Sequence, residues 1–270
     1  MMHPLPNLAE LRLAETIRHL GAAGFESALH DWLRRCLAPD NILILAYRDA
    51  LAPQILFTQS DQPQVFSQLK AHYLAGAYLL DPFHDMHLNR VTAGAYRLRD
   101  VAPDAFHRSR YFIDYYQQTT LVDEITFVAY PHPDISLNIC LGRDATSGQP
   151  FGPRDLETAQ RLAPVVAALG ESHWAHLADP GGAPADVTAA LIATLGDRHG
   201  IRLSRRQAEV ALLILRGHST QSIGLRLNLS PQTIKVFRKQ LYAKCGLTSQ
   251  AELFALMVPL LKATQRGAAP

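Results

Sequence analysis

The sequence predicts two domains of different class. The first is an α+β domain in which an antiparallel sheet is flanked by helices. The second is a small all-α domain of four helices. Three observations lead there. Charge is partitioned: residues 201–270 carry 11 Lys and Arg against two acids, a net +9, and residues 1–200 carry 15 against 22, a net −7. Short apolar runs of strand type alternate with helical stripes through the first 178 residues, whereas only the helical period is left after residue 200. Between them lies "ADPGGAPAD", residues 178–186, a Pro- and Gly-rich stretch that reads as a linker. The boundaries are therefore 1–178, a linker with a connecting helix at 179–200, and 201–266.

In chain order, Leu8–Leu20 and Phe25–Leu37 are amphipathic helices. "NILILAYRD" and "QILFTQ" are short strands around a turn at Ala50–Pro53. "VFSQLKAHYLAG" reads as helical. In "DPFHDMHLNR", Asp81 is placed to cap a helix that has Pro82 in its first position. "GAYRLRD" is a short strand and "SRYFIDYYQQT" a helix. "VDEITFVAYP" and "ISLNICLGRD" form a hairpin of long strands. "FGPRDLETAQRLAPVVAALGESHWAHLA" is one long helix, kinked at Pro164.

The last 70 residues have clearer punctuation. Ser204 and Gln207 make an S-x-x-Q capping box, and Gly217 stops that helix. Ser219 caps a short second helix, and a minimal turn at Asn228–Leu229 leads to a third. In that third helix Ser230 is the cap, Pro231 the first residue and Gly246 the stop. Ser249 and Glu252 open a fourth. Two helices joined by a minimal turn give helix-turn-helix connectivity, with "SPQTIKVFRKQLYAKCG" in the recognition position. Its Ile234, Phe237, Leu241 and Cys245 form one inward stripe. The free face carries Gln232, Lys235, Val236 and Lys239, with Arg238 beside it. A basic face on a packed helix suits phosphates, and a basic module on an acidic body suits nucleic acid.

These residues, from Leu203-Ser204 and Glu209-Val210 through Leu229-Ser230, Thr233-Ile234-Lys235, Tyr242 and Lys244 to Glu252-Leu253, resemble the LuxR-type (GerE-type) DNA-binding domain of bacterial transcription regulators. The resemblance covers the last quarter of the chain. It implies that Lys235, Val236 and Lys239 face base edges, and that Gln232, Thr233, Arg238 and Lys244 make phosphate or mixed contacts. Phe237, Ser222 and Gly224 depart from the pattern. Gly224 stands where alanine is common and is expected to cost the second helix up to ~1 kcal/mol.

The outline of the first domain is similar to GAF- and PAS-like sensors. "HYLAGAYLLDP" resembles the aromatic run and Asp-Pro of acyl-homoserine-lactone receptors, which implies pocket roles for Tyr73 and Asp81. Tyr96 stands where a pocket tryptophan is usual. Leu69 stands in place of the tryptophan that binds the lactone carbonyl. "YLLDPFH" and "RYFIDYYQQTTLVDE" look more like orphan LuxR-type regulators with GAF-like sensors. The candidate pocket residues are Tyr73, Tyr78, Asp81, Phe83, Tyr96, Phe127 and Tyr130. An apolar cavity with one or two polar anchors is what a small organic ligand requires.

Other classes fit less well. Three separated cysteines, Cys36, Cys140 and Cys245, suit a reducing compartment better than a disulfide framework. The chain has no signal-peptide pattern and no run of ~18 apolar residues, so a cytoplasmic protein without a membrane partner is expected. Asp81, His84, Asp85 and His87, and separately His173 and His176, have helical spacing that could hold a metal. Without a further fixed ligand, surface histidines are the simpler account, and no metal or cofactor is expected. Two opening helices, and a second strand directly after "NILILAYRD", argue against a phospho-receiver order. No G-x-S-x-G, phosphate loop or C-x-x-C points to an enzyme. Asp123 and Glu124 are neighbours on a strand and point to opposite faces. The sequence thus predicts a dimeric, DNA-binding transcription regulator controlled by a small organic ligand, with RNA polymerase as a further candidate partner. The alternatives are an acyl-homoserine-lactone receptor and a ligand-free dimeric regulator.

Overall fold

The computed structural model describes residues 7–48, 52–178 and 186–266. The turn read at 50–53 and the linker read at 178–186 lie largely outside these residues. Five strands, β1 (Asn41–Arg48), β2 (Gln54–Ser60), β3 (Gly94–Arg97), β4 (Leu121–His132) and β5 (Ile135–Asp144), form one antiparallel sheet in the order β2-β1-β5-β4-β3. Its register sorts the side chains. One row across the sheet is Phe57, Ile44, Ile139, Phe127 and Ala95, and the next is Thr58, Leu43, Cys140, Thr126 and Tyr96. Adjacent rows face opposite sides, so each strand serves two cores.

The first core lies under helices. Helix α1 (Ala9–Arg18) packs on α2 (Phe25–Leu37), and α2 and α6 (Pro153–His173) cover the row that contains Ile44, Ile139 and Phe127. Trp32 and Trp174 are both buried there. Helix α6 runs through Pro164 without interruption and ends at His173, whose ring stacks on Phe25 at 4.0 Å. The stretch read as the end of this helix, residues 175–178, is a separate 3-10 turn.

The second face is covered by short pieces. Two stretches read as continuous helices are broken. Residues 65–76 pass through the end of a 3-10 turn (Pro63–Phe66) and a π turn (Leu69–Tyr73). Residues 109–119 form α5 (Arg110–Asp114) and a 3-10 turn (Tyr116–Thr119). The cause is burial on all sides. Tyr115 and Tyr116 are both buried, as are all four residues Ala77–Leu80, and successive positions cannot share one helical face. Asp81 caps α3 (Pro82–Leu88) as expected, accepting from the Phe83 N–H at 2.8 Å. The expected strand at 94–100 stops at Arg97, and α4 (Leu98–Val101) turns Leu98 inward.

The C-terminal domain is α7 (Val187–His199), α8 (Arg205–Leu215), α9 (Thr220–Leu227), α10 (Pro231–Cys245) and α11 (Gln250–Arg266). The helix read as a connector, α7, packs on α8 and α11 with Leu191 and Leu195 buried. Among the described residues, the four helices read from sequence are α8–α11, and the connecting helix α7 is packed against them. Gly224 needs a different explanation from its propensity. A Cβ there would meet the Leu229 carbonyl oxygen at 2.7 Å. The same turn is closed by the Leu229 N–H donating to the Gly224 carbonyl at 2.8 Å. Glycine permits the close approach that joins α9 to α10.

The apolar core of the second sheet face continues into this domain. Leu79, Phe106 and Tyr116 belong to the same packed cluster as Leu212, Ile214 and Ile223.

Candidate functional site

Helix α10 presents the first candidate surface. Ser230 accepts from the Thr233 N–H at 3.0 Å, Pro231 occupies the first turn, and Gly246 takes φ 65° at the stop. Ile234 and Leu241 are buried against α8 and α9. That packing leaves Gln232, Lys235, Val236 and Lys239 exposed on one continuous face, with Val236 48% exposed. Two other sequence-picked residues have duties within the domain. Arg238 donates to Thr220 Oγ1 at 3.1 Å and so joins α10 to the start of α9. Lys244 donates to the Arg202 carbonyl at 2.9 Å and to Gln207 Oε1 at 3.0 Å, which ties the end of α10 to the entry of α8. Thr233 has its hydroxyl beside that of Ser230 at 2.8 Å.

The N-terminal domain holds this module at the α8–α9 turn. Asp85, on α3, accepts from Arg216 at 2.9 Å and from Arg226 at 2.6 Å. Arg216 also donates to the Leu79 carbonyl at 3.1 Å, and burial pulls its pKa down from the usual guanidinium value. A second contact lies at residues 104–109. Asp104 accepts from the Ser219 N–H at 3.1 Å, and the Ala105 N–H donates to the Gly217 carbonyl at 3.2 Å. A Cβ on Gly217 would sit 3.1 Å from both Phe106 Cα and Ser109 Cβ. Gly217 also has φ 91°, so it serves both as helix stop and as contact point between domains. His218 is buried here, its pKa lowered to about 4 chiefly by desolvation and next by the Arg226 charge.

The second candidate site is a partly enclosed cavity of about 40 Å³ on the irregular side of the sheet. Its walls include Leu43, Phe66, Leu69, Phe83 and Leu121, and its polar groups are Tyr73, Asp81, Tyr111, Tyr115, Tyr116, Thr119, Glu124 and Cys140. Tyr73 donates to Asp81 Oδ2 at 2.6 Å, and Tyr47 and Tyr73 share a further hydroxyl contact. Asp81 therefore both caps α3 and faces the cavity. Desolvation raises its pKa, opposed by the Tyr73 and Phe83 hydrogen bonds. Glu124 accepts from Thr126 Oγ1 at 3.1 Å. It keeps some accessible surface at the cavity, but protein surrounds it, and desolvation followed by the Asp81 charge pushes its pKa up to about 8. A groove of about 210 Å³ adjoins the cavity and shares Leu98, Tyr116 and Leu121 with it.

Of the sequence-picked pocket residues, Tyr73, Asp81 and Phe83 line this cavity and the other four do not. Phe127 lies on the opposite sheet face under α2 and α6. Tyr78 packs edge-on against His84 at 5.0 Å. Tyr96 donates to the Thr92 carbonyl at 2.7 Å, and Tyr130 to the Val91 carbonyl at 2.6 Å, so both hydroxyls secure the loop before β3. Glu124 was missed as a site residue. An acid inside a strand, two residues from Thr126 and four from Val128, is a buried-polar signal that sequence does contain.

The histidines of α3 also require correction. His84 and His87 were expected on the surface, yet both are buried. His87 sits 2.7 Å from Ser136 Oγ, and Tyr47 packs beside both rings. Neither ring nitrogen of His84 has a hydrogen-bond partner among the described residues, and burial holds its pKa well below the usual value, so it is neutral. The histidines are covered because α3 is enclosed by the sheet on one side and by the α8–α9 turn on the other.

A capped helix-turn-helix with an exposed basic face, carried by an α+β domain, defines a two-domain DNA-binding transcription regulator. Residues 202–257 match the family described as bacterial regulatory proteins, luxR family. The chain therefore carries a LuxR-type helix-turn-helix domain at these residues. It is 28% identical over 184 residues to a protein of Aeromonas salmonicida described as an HTH-type transcriptional regulator in the exeN 3' region, covering 66% of this chain and 93% of that one. Over 56 residues it is 41% identical to the response regulator GacA of Pseudomonas aeruginosa, covering 21% of this chain and 26% of GacA. Among solved structures, the VqsR LBD domain from Pseudomonas aeruginosa superposes with a TM-score of 0.54 at 24% identity, covering 64% of this chain and 99% of that one. That likeness concerns the fold of the first domain. Among the described residues, no helix is long and apolar enough to cross a membrane.

Proposed function

We propose that this regulator is controlled by a small organic molecule bound in the cavity of its first domain. The observation that carries this reading is the position of α3. At its start Asp81 faces the cavity. One turn later Asp85 holds Arg216 and Arg226 of the DNA-binding domain. Occupancy that moves Asp81 or its tyrosine partner would shift α3 against the α8–α9 turn. A ligand alters such an equilibrium only by its differential affinity for the two arrangements, and a coupling of about 1–3 kcal/mol is typical. In this proposal the α10 face reads the operator through Lys235, Val236 and Lys239, with Gln232, Thr233, Arg238 and Lys244 supporting contacts to the backbone.

The protein works as a homodimer in the cytoplasm in this reading, because one module gives a small interface and specificity comes from two half-sites. The outward face of α6, where Val165 is 39% exposed, is the candidate contact. RNA polymerase is the partner that an activator of this kind would engage. The test is paired and isosteric. Tyr73→Phe and Asp81→Asn are introduced separately, and operator affinity is measured with and without the inducing metabolite. At least one should lose the response to the metabolite while keeping its melting temperature and still binding the operator. Full response in both overturns the assignment of the cavity.

A further inference from the structure

We infer that the molecule taken by this cavity is an organic cation, an ammonium head held against Asp81 and Glu124 within walls of tyrosine and phenylalanine. The inference rests on the sensing role proposed above and names the class of ligand. Two carboxyl groups from distant parts of the chain, one from the cap of α3 and one from β4, line one small cavity. Among the described residues, no Lys, Arg or His lines it. Buried carboxyls are ordinarily paired with a cation or with enough N–H donors to replace water. Asp81 has the Phe83 N–H and the Tyr73 and Tyr111 hydroxyls. Glu124 has the Thr126 hydroxyl and the Cys140 thiol. None of these partners is charged, and an arriving ammonium brings the cation.

The walls agree with the head group. Phe66, Tyr73, Phe83, Tyr111, Tyr115 and Tyr116 surround the two acids. Aromatic faces attract organic cations through their quadrupoles, and a cage of such rings is a known solution for ammonium ligands. A third observation is independent of the acids. The Tyr116 hydroxyl is buried and has no hydrogen-bond partner among the described residues, and Tyr116 lines both the cavity and the adjoining groove. An unpartnered buried hydroxyl is costly, and a ligand that carries a polar atom at the boundary between cavity and groove would satisfy it. Size sets a limit as well. A cavity of about 40 Å³ accepts a small head group, so any longer body must lie in the groove of about 210 Å³ beyond Tyr116.

The experiment uses the full chain and two matched series of probes. One runs from methylammonium and trimethylammonium to phenethylammonium. The other contains neutral isosteres, the corresponding alcohols and hydrocarbons, together with a set of neutral amides and small carboxylates. Binding is read by calorimetry and by the rise in melting temperature, with Glu124→Gln and Tyr116→Phe as variants. Both substitutions preserve shape. The expected result is saturable binding of at least one ammonium, at least tenfold tighter than its neutral isostere, and weakened at least tenfold by Glu124→Gln. Saturable binding of neutral or anionic probes with none from the ammonium series overturns the cation assignment and leaves the sensing role standing. Equal affinity of Glu124→Gln and the parent chain for the ammonium also overturns it. Failure of every probe in both series overturns the cation assignment together with the proposed use of this cavity.

Discussion

Helix α10 and the cavity-forming segments between residues 63 and 124 are built in opposite ways. The helix is written locally: a serine cap, a proline in the first turn, an inward stripe and a glycine stop all lie within 17 residues. The cavity is assembled from β1, β4, β5, α3, α4, α5 and three irregular turns, and no short window contains it. One region is specified by propensity and capping. The other is specified by what covers it. This difference explains why the basic helix face can be found from sequence and the cavity only in outline.

The largest expected effect tests the seam between these regions. Asp85→Ala leaves the partly buried Arg216 and Arg226 without their shared carboxylate. Losing a hydrogen bond to a charged group costs about 1.5–3 kcal/mol. Urea unfolding of the full chain should show that loss, with proteolysis between the domains becoming faster. A change near zero would mean that the α8–α9 turn is held by its apolar contacts alone.

The next tests whether α10 is as local as it looks. Gly224→Ala follows helix propensity and would be expected from sequence to stabilise. The close approach of the Leu229 carbonyl reverses that expectation. Forcing a methyl into packed space costs about 1–3 kcal/mol, and thermal unfolding should show the loss. A stabilised variant would show that the turn relaxes freely.

On DNA, Lys239→Ala should reduce discrimination between operator and random sequence by about 1–3 kcal/mol. Lys244→Ala should weaken both about equally. Anisotropy titrations at two salt concentrations separate the two. Equal losses from both variants on both sequences would remove Lys239 from base reading.

The smallest effects concern pH, and the two regions should respond in opposite directions. Glu124 has a folded pKa raised to about 8 from the ordinary 4.5. The folded state therefore prefers its protonated form, and this contribution is present at low pH and lost as pH rises through that window. His218 has a folded pKa lowered to about 4 from 6.5. The unfolded chain then binds the extra proton, so stability is lost as pH falls from about 6.5 towards 4. Melting temperatures of Glu124→Gln should lose the alkaline slope, and those of His218→Gln the acid slope. Unchanged slopes in both variants would assign the pH dependence to other groups.

Much of the fold could be read from sequence because its signals were local. The β4–β5 hairpin follows from alternation, and the caps at Asp81, Ser204, Ser219 and Ser230 all hold their helices. What sequence left open was which face of a strand meets which cover. Alternation separates Phe127 from Val128 but does not say which side holds the cavity, and that is decided by pairing Phe127 with Ile139 and Thr126 with Cys140. The same holds for α3. Seven residues with His84 and His87 resemble a surface turn until the sheet and the second domain close over them. Asp85 and Arg216 are 131 positions apart, so their pairing has no local signature.

In the proposed mechanism the cavity and the DNA-binding domain are coupled through α3. A double-mutant cycle on operator affinity tests it without any ligand. Tyr73→Phe removes the hydroxyl that donates to Asp81 in the cavity, and Asp85→Asn alters the contact with Arg216 and Arg226. If α3 transmits between them, the two substitutions should be non-additive by about 0.5–2 kcal/mol, with the effect of Tyr73→Phe largely lost in the Asp85→Asn background. Additivity within about 0.5 kcal/mol would contradict the account.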